Sequence, residues 1–242
     1  MNAAPATSRS RAAPPWAYAR HLHPEPVHWP PLQMLRLDQR SHRLFAAGAA
    51  GVAVYRLLSG IVRLERVSSH GACCIVRLAG PGDLVGLEAA LGHPYGTDAH
   101  VCDTAEISVM PRAAFDARCQ QDPAMRLELQ VQWQRALHAT EEWQAEMLRG
   151  TARHRLLHLL RKLDDLAGAS GLAWLPTRRE IGNMLDMALE TASRQLTWCR
   201  QEGLLDIVDA HHVRVCRPRL LAALRAAWRV RVGRRQPHCS SL

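Results

Sequence analysis

The 242-residue chain is nearly devoid of lysine: of 31 Lys and Arg, only Lys162 is lysine. Aromatics make up 5%, and Phe45 and Phe115 are its two phenylalanines, so its core must be mostly Val, Leu, Ile and Ala. No apolar run approaches the roughly 18 residues of a membrane-spanning helix, which excludes a membrane partner. The first 31 residues contain no apolar stretch of the secretory kind. There is no CxxC, and the seven cysteines are odd in number, so reduced thiols in a cytoplasmic protein are expected. Paired catalytic carboxylates, a nucleophile elbow and a phosphate loop are all missing, which argues against an enzyme.

What is present is a soluble composition, 48% hydrophobic and 22% charged, enough to bury a core and to exclude disorder throughout. The length suits one large domain or two ordinary ones. The formal charge of +9 is lopsided. Residues 1–150 carry 15 Arg against 14 acids, a net of +1. Residues 151–242 carry 15 Arg and Lys162 against 8 acids, a net of +8. A GC-rich genome would explain arginine over lysine but not this asymmetry, which points to a polyanion-binding C-terminal third.

Six of the 14 prolines fall in residues 1–30, which read as a disordered tail. Its HLHPEPVH segment (His21, His23, His28) is a solvated tail or a metal ligand set. Residues 31–122 form the next unit, in which 43–112 read as short strands punctuated by Gly48, Gly60, Gly71, Gly80 and Gly82, with VCDTAEISVMP as a further strand. Regular short strands predict an antiparallel barrel or jelly roll. From Pro123 to Arg149 no glycine or proline intervenes. Met125, Leu127, Leu129, Val131, Trp133, Leu137, Trp143 and Met147 form the stripe of a long helix. A long helix between two compact regions suggests a parallel coiled-coil dimer; packing on its own barrel is the alternative. Residues 151–230 follow with Thr151 capping a helix over Ala152–Ala167, and 231–242 form a basic tail.

Residues 177–203 carry the function. Thr177 with Glu180 three residues later makes a capping box. Ile181, Met184 and Leu185 give one apolar face, Asp186-Met187 a turn, and Ala192, Leu196 and Cys199 the buried face of a second helix stopped by Gly203. Two short helices across a tight turn are a helix-turn-helix. Glu190, Thr191, Ser193 and Arg194 lie off the buried face near the second helix's N-terminal end, the part that enters a major groove. Arg194 can donate two hydrogen bonds to guanine O6 and N7, Glu190 can accept from cytosine N4, and Ser193 can meet thymine or phosphate. The bland alternative is an i,i+4 Glu190–Arg194 ion pair on a solvated face. Leu204–Val208 and His212–Cys216 read as a hairpin wing, followed by a helix over Pro218–Val230.

The glycine-punctuated barrel, GDLVG at Gly82–Gly86, the long helix and TRREIGNMLDMALETASRQL together resemble the CRP/FNR family of bacterial transcription regulators over roughly residues 31–228. The resemblance implies an α+β chain: a cyclic-nucleotide-binding-like β-roll (jelly roll), a long dimerisation helix over 123–149, and a C-terminal winged helix-turn-helix. It also implies a homodimer on double-stranded DNA with RNA polymerase as a further partner. Glu190, Ser193 and Arg194 occupy the E-x-x-S-R positions with which the FNR branch reads TTGAT-type half-sites. Thr177 and Arg178 fall where members touch the phosphate backbone.

The sensor half departs from the family. Cyclic-AMP binders carry a Gly-Glu pair after the GD motif and a later Arg-Ser pair. Here Leu87 follows Gly86, and Thr97-Asp98 stand at the later pair, where an aspartate would repel a cyclic phosphate. Cyclic AMP is therefore not expected. The first 72 residues contain no cysteine and Ser108 takes the later ligand position, so a 4Fe-4S cluster is not expected either. His100 and Cys102 have a spacing suited to haem, but do not align with the ligands of the family's carbon monoxide sensor. Cys73 and Cys74, adjacent on a strand, should be one core and one surface thiol, with a redox switch as the alternative. No cofactor or metal ligand is assigned. A haem- or redox-sensing regulator, a regulator without any ligand and a metal-dependent cupin-like enzyme are the other readings.

Overall fold

The computed structural model describes residue 29 and residues 33–38, 40, 42–167 and 170–233. The expected tail over residues 1–30 thus lies outside the described residues except for Trp29, and the basic tail lies outside them from residue 234. Trp29 is no part of a free tail. Its indole Nε1 donates to Ser108 Oγ at 2.9 Å and its ring meets Phe115.

Eight strands are described in the N-terminal half: β1 (Gln33–Leu37), β2 (Arg43–Phe45), β3 (Ala53–Ser59), β4 (Val62–Val67), β5 (Cys73–Ala79), β6 (Leu84–Val85), β7 (Asp98–Val101) and β8 (Ala105–Pro111). They form two antiparallel sheets, ordered β1-β8-β3-β6 and β2-β7-β4-β5. Val54, Leu57, Val62, Leu84 and Ile107 fill the space between them. The run VCDTAEISVMP is two strands, not one. Val101 ends β7 in one sheet, Cys102–Thr104 turn, and Ala105 opens β8 in the other. Helix α1 (Arg112–Gln121) was not anticipated, because Phe115 is its one buried residue and gives no stripe.

Helix α2 spans Pro123–Glu142, and a single π-helical turn continues it over Trp143–Met147. Its start follows from the sequence: the Asp122 side chain accepts from Ala124 N at 2.9 Å, and Pro123 tolerates the first turn. The apolar stripe expected at a dimer seam is divided. Met125, Leu129 and Trp133 pack on the β-roll, while Trp143 and Met147 join the C-terminal core. Leu127 and Leu137 remain exposed and Val131 half-buried. Much of the stripe is therefore buried within its own chain. A buried glutamine fixes the helix to the GDLVG segment: Gln132 accepts from Leu84 N and donates to the Gly82 carbonyl and to Glu128.

The C-terminal half comprises α3 (Ala152–Leu166), β9 (Ala173–Trp174), α4 (Arg178–Leu185), α5 (Leu189–Gln201), β10 (Leu205–Ile207), β11 (His212–Val215) and α6 (Arg217–Gly233). The wing is three-stranded, ordered β10-β11-β9. Thr151 caps α3 as expected, accepting from His154 N, and Leu156, Leu157, Leu159, Leu160 and Leu163 bury one flank of that helix.

One of the two buried clusters runs through both halves, while the other lies within the N-terminal half. Ile61, Ile75, Leu78 and Cys102 of the roll belong to the same buried cluster as Leu160, Ile181 and Leu196. Leu166 lies directly over Gly80, where a β-carbon would come within 2.3 Å of its Cδ2. Polar contacts follow the same seam. His212 on the wing sets Nε2 at 2.8 Å from Asp103 of the roll and Nδ1 at 2.9 Å from Asp209, while Arg40 donates to Asp103. The bonds to Asp209 and Asp103 raise the His212 pKa, and those from His212 and Arg40 outweigh burial to lower that of Asp103.

A raised histidine pKa stabilises the fold below the unfolded value, about 6.5, and the gain is lost as pH rises through the folded value. His212→Gln should therefore lower the melting temperature most below about pH 6.5 and hardly at all on the alkaline side. Melting curves across pH check this; a deficit that does not vary with pH contradicts it.

Candidate nucleic-acid interface

Helix α4 starts with both halves of the capping box: Glu180 N donates to Thr177 Oγ1 at 3.2 Å, and Thr177 N donates to Glu180 Oε2 at 2.7 Å. Thr177 and Arg178 are exposed at this end, with Arg179 beside them. The other oxygen of Glu180 is engaged too, accepting from Arg63 Nη1 of the roll at 2.9 Å. Arg63 also pairs with Glu65, which has His100 at 3.8 Å.

The turn between α4 and α5 needs two special backbone positions. Asp186 ends α4 with φ +48, a left-handed conformation that aspartate tolerates. Arg155 on α3 donates to its carbonyl. At Gly182 the turn comes so close that a β-carbon would lie 2.8 Å from the Met187 carbonyl oxygen. Ala192, Leu196 and Cys199 then bury one side of α5, as the periodicity implied.

On its opposite side, Glu190, Ser193 and Arg194 share a shallow concavity with Leu189 and Thr197. Glu190, Ser193 and Arg194 are exposed and Thr191 is half-buried. Arg194 Nη2 donates to Thr191 Oγ1 at 3.4 Å, so Thr191 steadies the guanidinium from one side. Among the described residues no ion pair joins Glu190 to Arg194, so that alternative is not realised. Thr177 and Arg178 do not line the concavity; they sit at the head of the other helix. An acceptor-only carboxylate and a two-pronged donor, one helical turn apart on an open face, form a pair able to read base edges.

Three participants escaped the sequence reading. Thr197 could have been found, since it lies four and three residues beyond Ser193 and Arg194 on the same face. Arg153 packs its guanidinium 3.8 Å over the Trp198 ring and donates to Gln195, bracing α5 from α3. Arg63 lies 117 residues from Glu180, and no local pattern could have paired them.

The sensor-half candidates are spread apart. Cys73 is exposed and Cys74 half-buried at the start of β5, so neither is a core thiol: both sit beside the β4–β5 turn, opposite Val67 and Arg66 of β4. Burial and the neighbouring Glu65 raise the Cys73 pKa, which lowers its reactivity. Cys102 is buried just past the end of β7, and burial raises its pKa strongly. Asp98 accepts from Ala47 N and lies 3.9 Å from Arg43. Tyr95 stacks on Phe45 at 4.1 Å, and its hydroxyl bonds the backbone at Val52 and Ala53. No helix among the described residues is long and apolar enough to cross a membrane.

Comparison with known proteins bears on both halves. A cyclic nucleotide-binding domain model matches residues 39–122, and a Crp-like helix-turn-helix domain model matches residues 154–224. A probable transcriptional activator of Rhizobium leguminosarum bv. viciae is 30% identical over 179 residues, 70% of this chain and 72% of the relative. The nitrogen fixation regulation protein FixK of Rhizobium meliloti is 24% identical over 216 residues, covering 89% of this chain and 97% of that protein. Among solved structures, FixK2 of Bradyrhizobium japonicum superposes with a TM-score of 0.68 at 24% identity, over 78% of this chain and 96% of its own.

Proposed function

The chain belongs to the CRP/FNR family of transcription regulators, not to an enzyme family, and from that premise we propose that it is a homodimeric, sequence-specific regulator reading a pseudo-palindromic operator with TTGAT-type half-sites. The observation that carries this reading is the open concavity on α5, which presents Glu190, Ser193 and Arg194 together. Arg194 takes the guanine of the half-site, Glu190 accepts from the cytosine amine, and Ser193 meets a thymine or a phosphate. Thr177 and Arg178 hold the phosphate backbone and fix the register. Exposed Leu127 and Leu137, with Val131 between them, offer the second copy an apolar face on α2. Two α5 helices then lie about one DNA turn apart. Relatives described as transcriptional activators support RNA polymerase as a further partner.

The regulator works without cyclic AMP in this proposal. Asp98 is committed to the Ala47 amide beside Arg43, and Tyr95 is stacked on Phe45 in the interior of the roll. Haem at His100 and Cys102 is the weaker alternative, because Cys102 is sealed in the core and His100 is turned towards Glu65.

Selection of bound sequences from a random DNA pool, with and without cyclic AMP, tests the reading. Paired TTGAT-type half-sites should emerge under both conditions. Arg194→Ala should lose discrimination at the half-site guanine by about 1–3 kcal/mol. Equal preference of wild type and variant for matched and mismatched operators would remove Arg194 from base reading.

A further inference from the structure

A pair of histidines lies four residues apart on α3 in the sequence ARHRLLHLL, so His154 and His158 project from one side of the helix. Both turn their Nε2 atoms to one carboxylate, Glu146, on the π-helical turn that ends the long helix. The His158 nitrogen lies 3.2 Å from Glu146 Oε2 and the His154 nitrogen 4.0 Å from it. One ligand atom from each of the three residues falls within 4.8 Å of the others. His154 is buried, and His158 and Glu146 are half-buried, so the cluster is partly shielded from solvent.

We propose that Glu146, His154 and His158 form a binding site for a divalent first-row transition ion of the zinc type. Two imidazoles and a carboxylate suit such an ion, and hard all-oxygen cations such as magnesium much less. Donors bound tetrahedrally at about 2.1 Å lie about 3.4 Å apart. The two distances to Glu146, 3.2 and 4.0 Å, bracket that spacing, and no separation within the cluster exceeds 4.8 Å. Three protein ligands leave a fourth position for water or an exchangeable group, the arrangement of an accessible rather than a sealed structural site.

The place of the cluster gives the ion a consequence. Glu146 belongs to the end of the long helix, and both histidines to the first helix of the DNA-binding half. Between them lies Gly150, with φ +93, where a β-carbon would come 3.3 Å from the His154 ring. An ion shared across this joint fixes the angle between the two helices. Its effect on operator binding rests on the function proposed above; the site itself does not.

The full-length protein, treated with chelator and dialysed, is titrated with zinc sulfate by calorimetry, and cobalt(II) is added separately to record the visible spectrum. One high-affinity ion per chain is expected, raising the melting temperature and giving a cobalt band without a thiolate charge-transfer feature. Glu146→Gln and His158→Gln, each on a half-buried side chain, should weaken binding more than about tenfold and abolish the melting shift. Circular dichroism confirms that each variant is folded, and either folded variant suffices. No binding by wild type overturns the proposal, leaving an ion pair of Glu146 with His158 only. Undiminished zinc binding in both variants also overturns it and assigns the ion to cysteines or to His21, His23 and His28. Operator binding measured separately on metal-free protein tells a failure of this site from a failure of the regulator reading.

Discussion

Gly182→Val should unfold the helix-turn-helix and abolish operator binding. The position admits no side chain, because a β-carbon would meet the Met187 carbonyl oxygen at 2.8 Å. That atom is backbone and cannot rotate away. The same turn is fastened by Met187 N donating to the Gly182 carbonyl, and by Arg155 holding the Asp186 carbonyl. Relief would require α4 and α5 to separate, pulling Ile181, Met184 and Leu196 out of the common core. Overpacking that flexible neighbours can absorb costs about 1–3 kcal/mol; a rigid neighbour places this variant at or above the upper end. Thermal melting combined with a gel-shift titration checks it. A variant melting within a degree or two of wild type would mean that the turn yields.

Arg63→Met should be nearly as damaging, but for the seam between the halves rather than for the helix pair. Arg63 is the cation shared by Glu65 and Glu180, and its side chain is only 12% exposed. Methionine keeps the bulk and removes the charge, which leaves two half-buried carboxylates without the cation they share. Stranding one partner of a fully buried pair costs about 3–5 kcal/mol; partial exposure puts this site at the lower end. The Thr177–Glu180 capping box does not involve Arg63, so α4 itself should persist. The expected signature is a lower melting temperature that recovers partly in an Arg63→Met, Glu65→Gln double variant. Failure of the second substitution to restore any stability would show that the charges do not act as a cluster.

The parts of this molecule written in local chemistry were legible in the sequence. The Thr177–Glu180 box, the Asp186 turn, the buried side of α5 and the Thr151 cap follow from spacings of three or four residues, and each stands where it was expected. Glycine-bounded apolar runs revealed the roll but not its sheet order, and the break at Cys102–Thr104 was hidden by continuous β propensity on both sides. The α2 stripe is divided between surfaces for a physical reason. Periodicity reports which residues are apolar, not which surface covers them, and here the chain's own roll and core cover Met125, Trp143 and Met147. The Arg63–Glu180 contact was invisible because nothing in either segment encodes the other. The two histidines of α3 stand four residues apart, but nothing in that spacing points to the carboxylate opposite them.

Ile61, Ile75 and Leu78 belong to the roll by position in the chain and to the C-terminal core by packing. The two matched family segments, residues 39–122 and 154–224, therefore share a buried contact, although the first also holds a core of its own. Excised, the second would present to water the apolar flank that β5 now covers, and the first would expose the other half of the same contact. Heating the intact chain should melt both segments in one cooperative step. Any displacement of β5 would bear directly on α4, which packs against it.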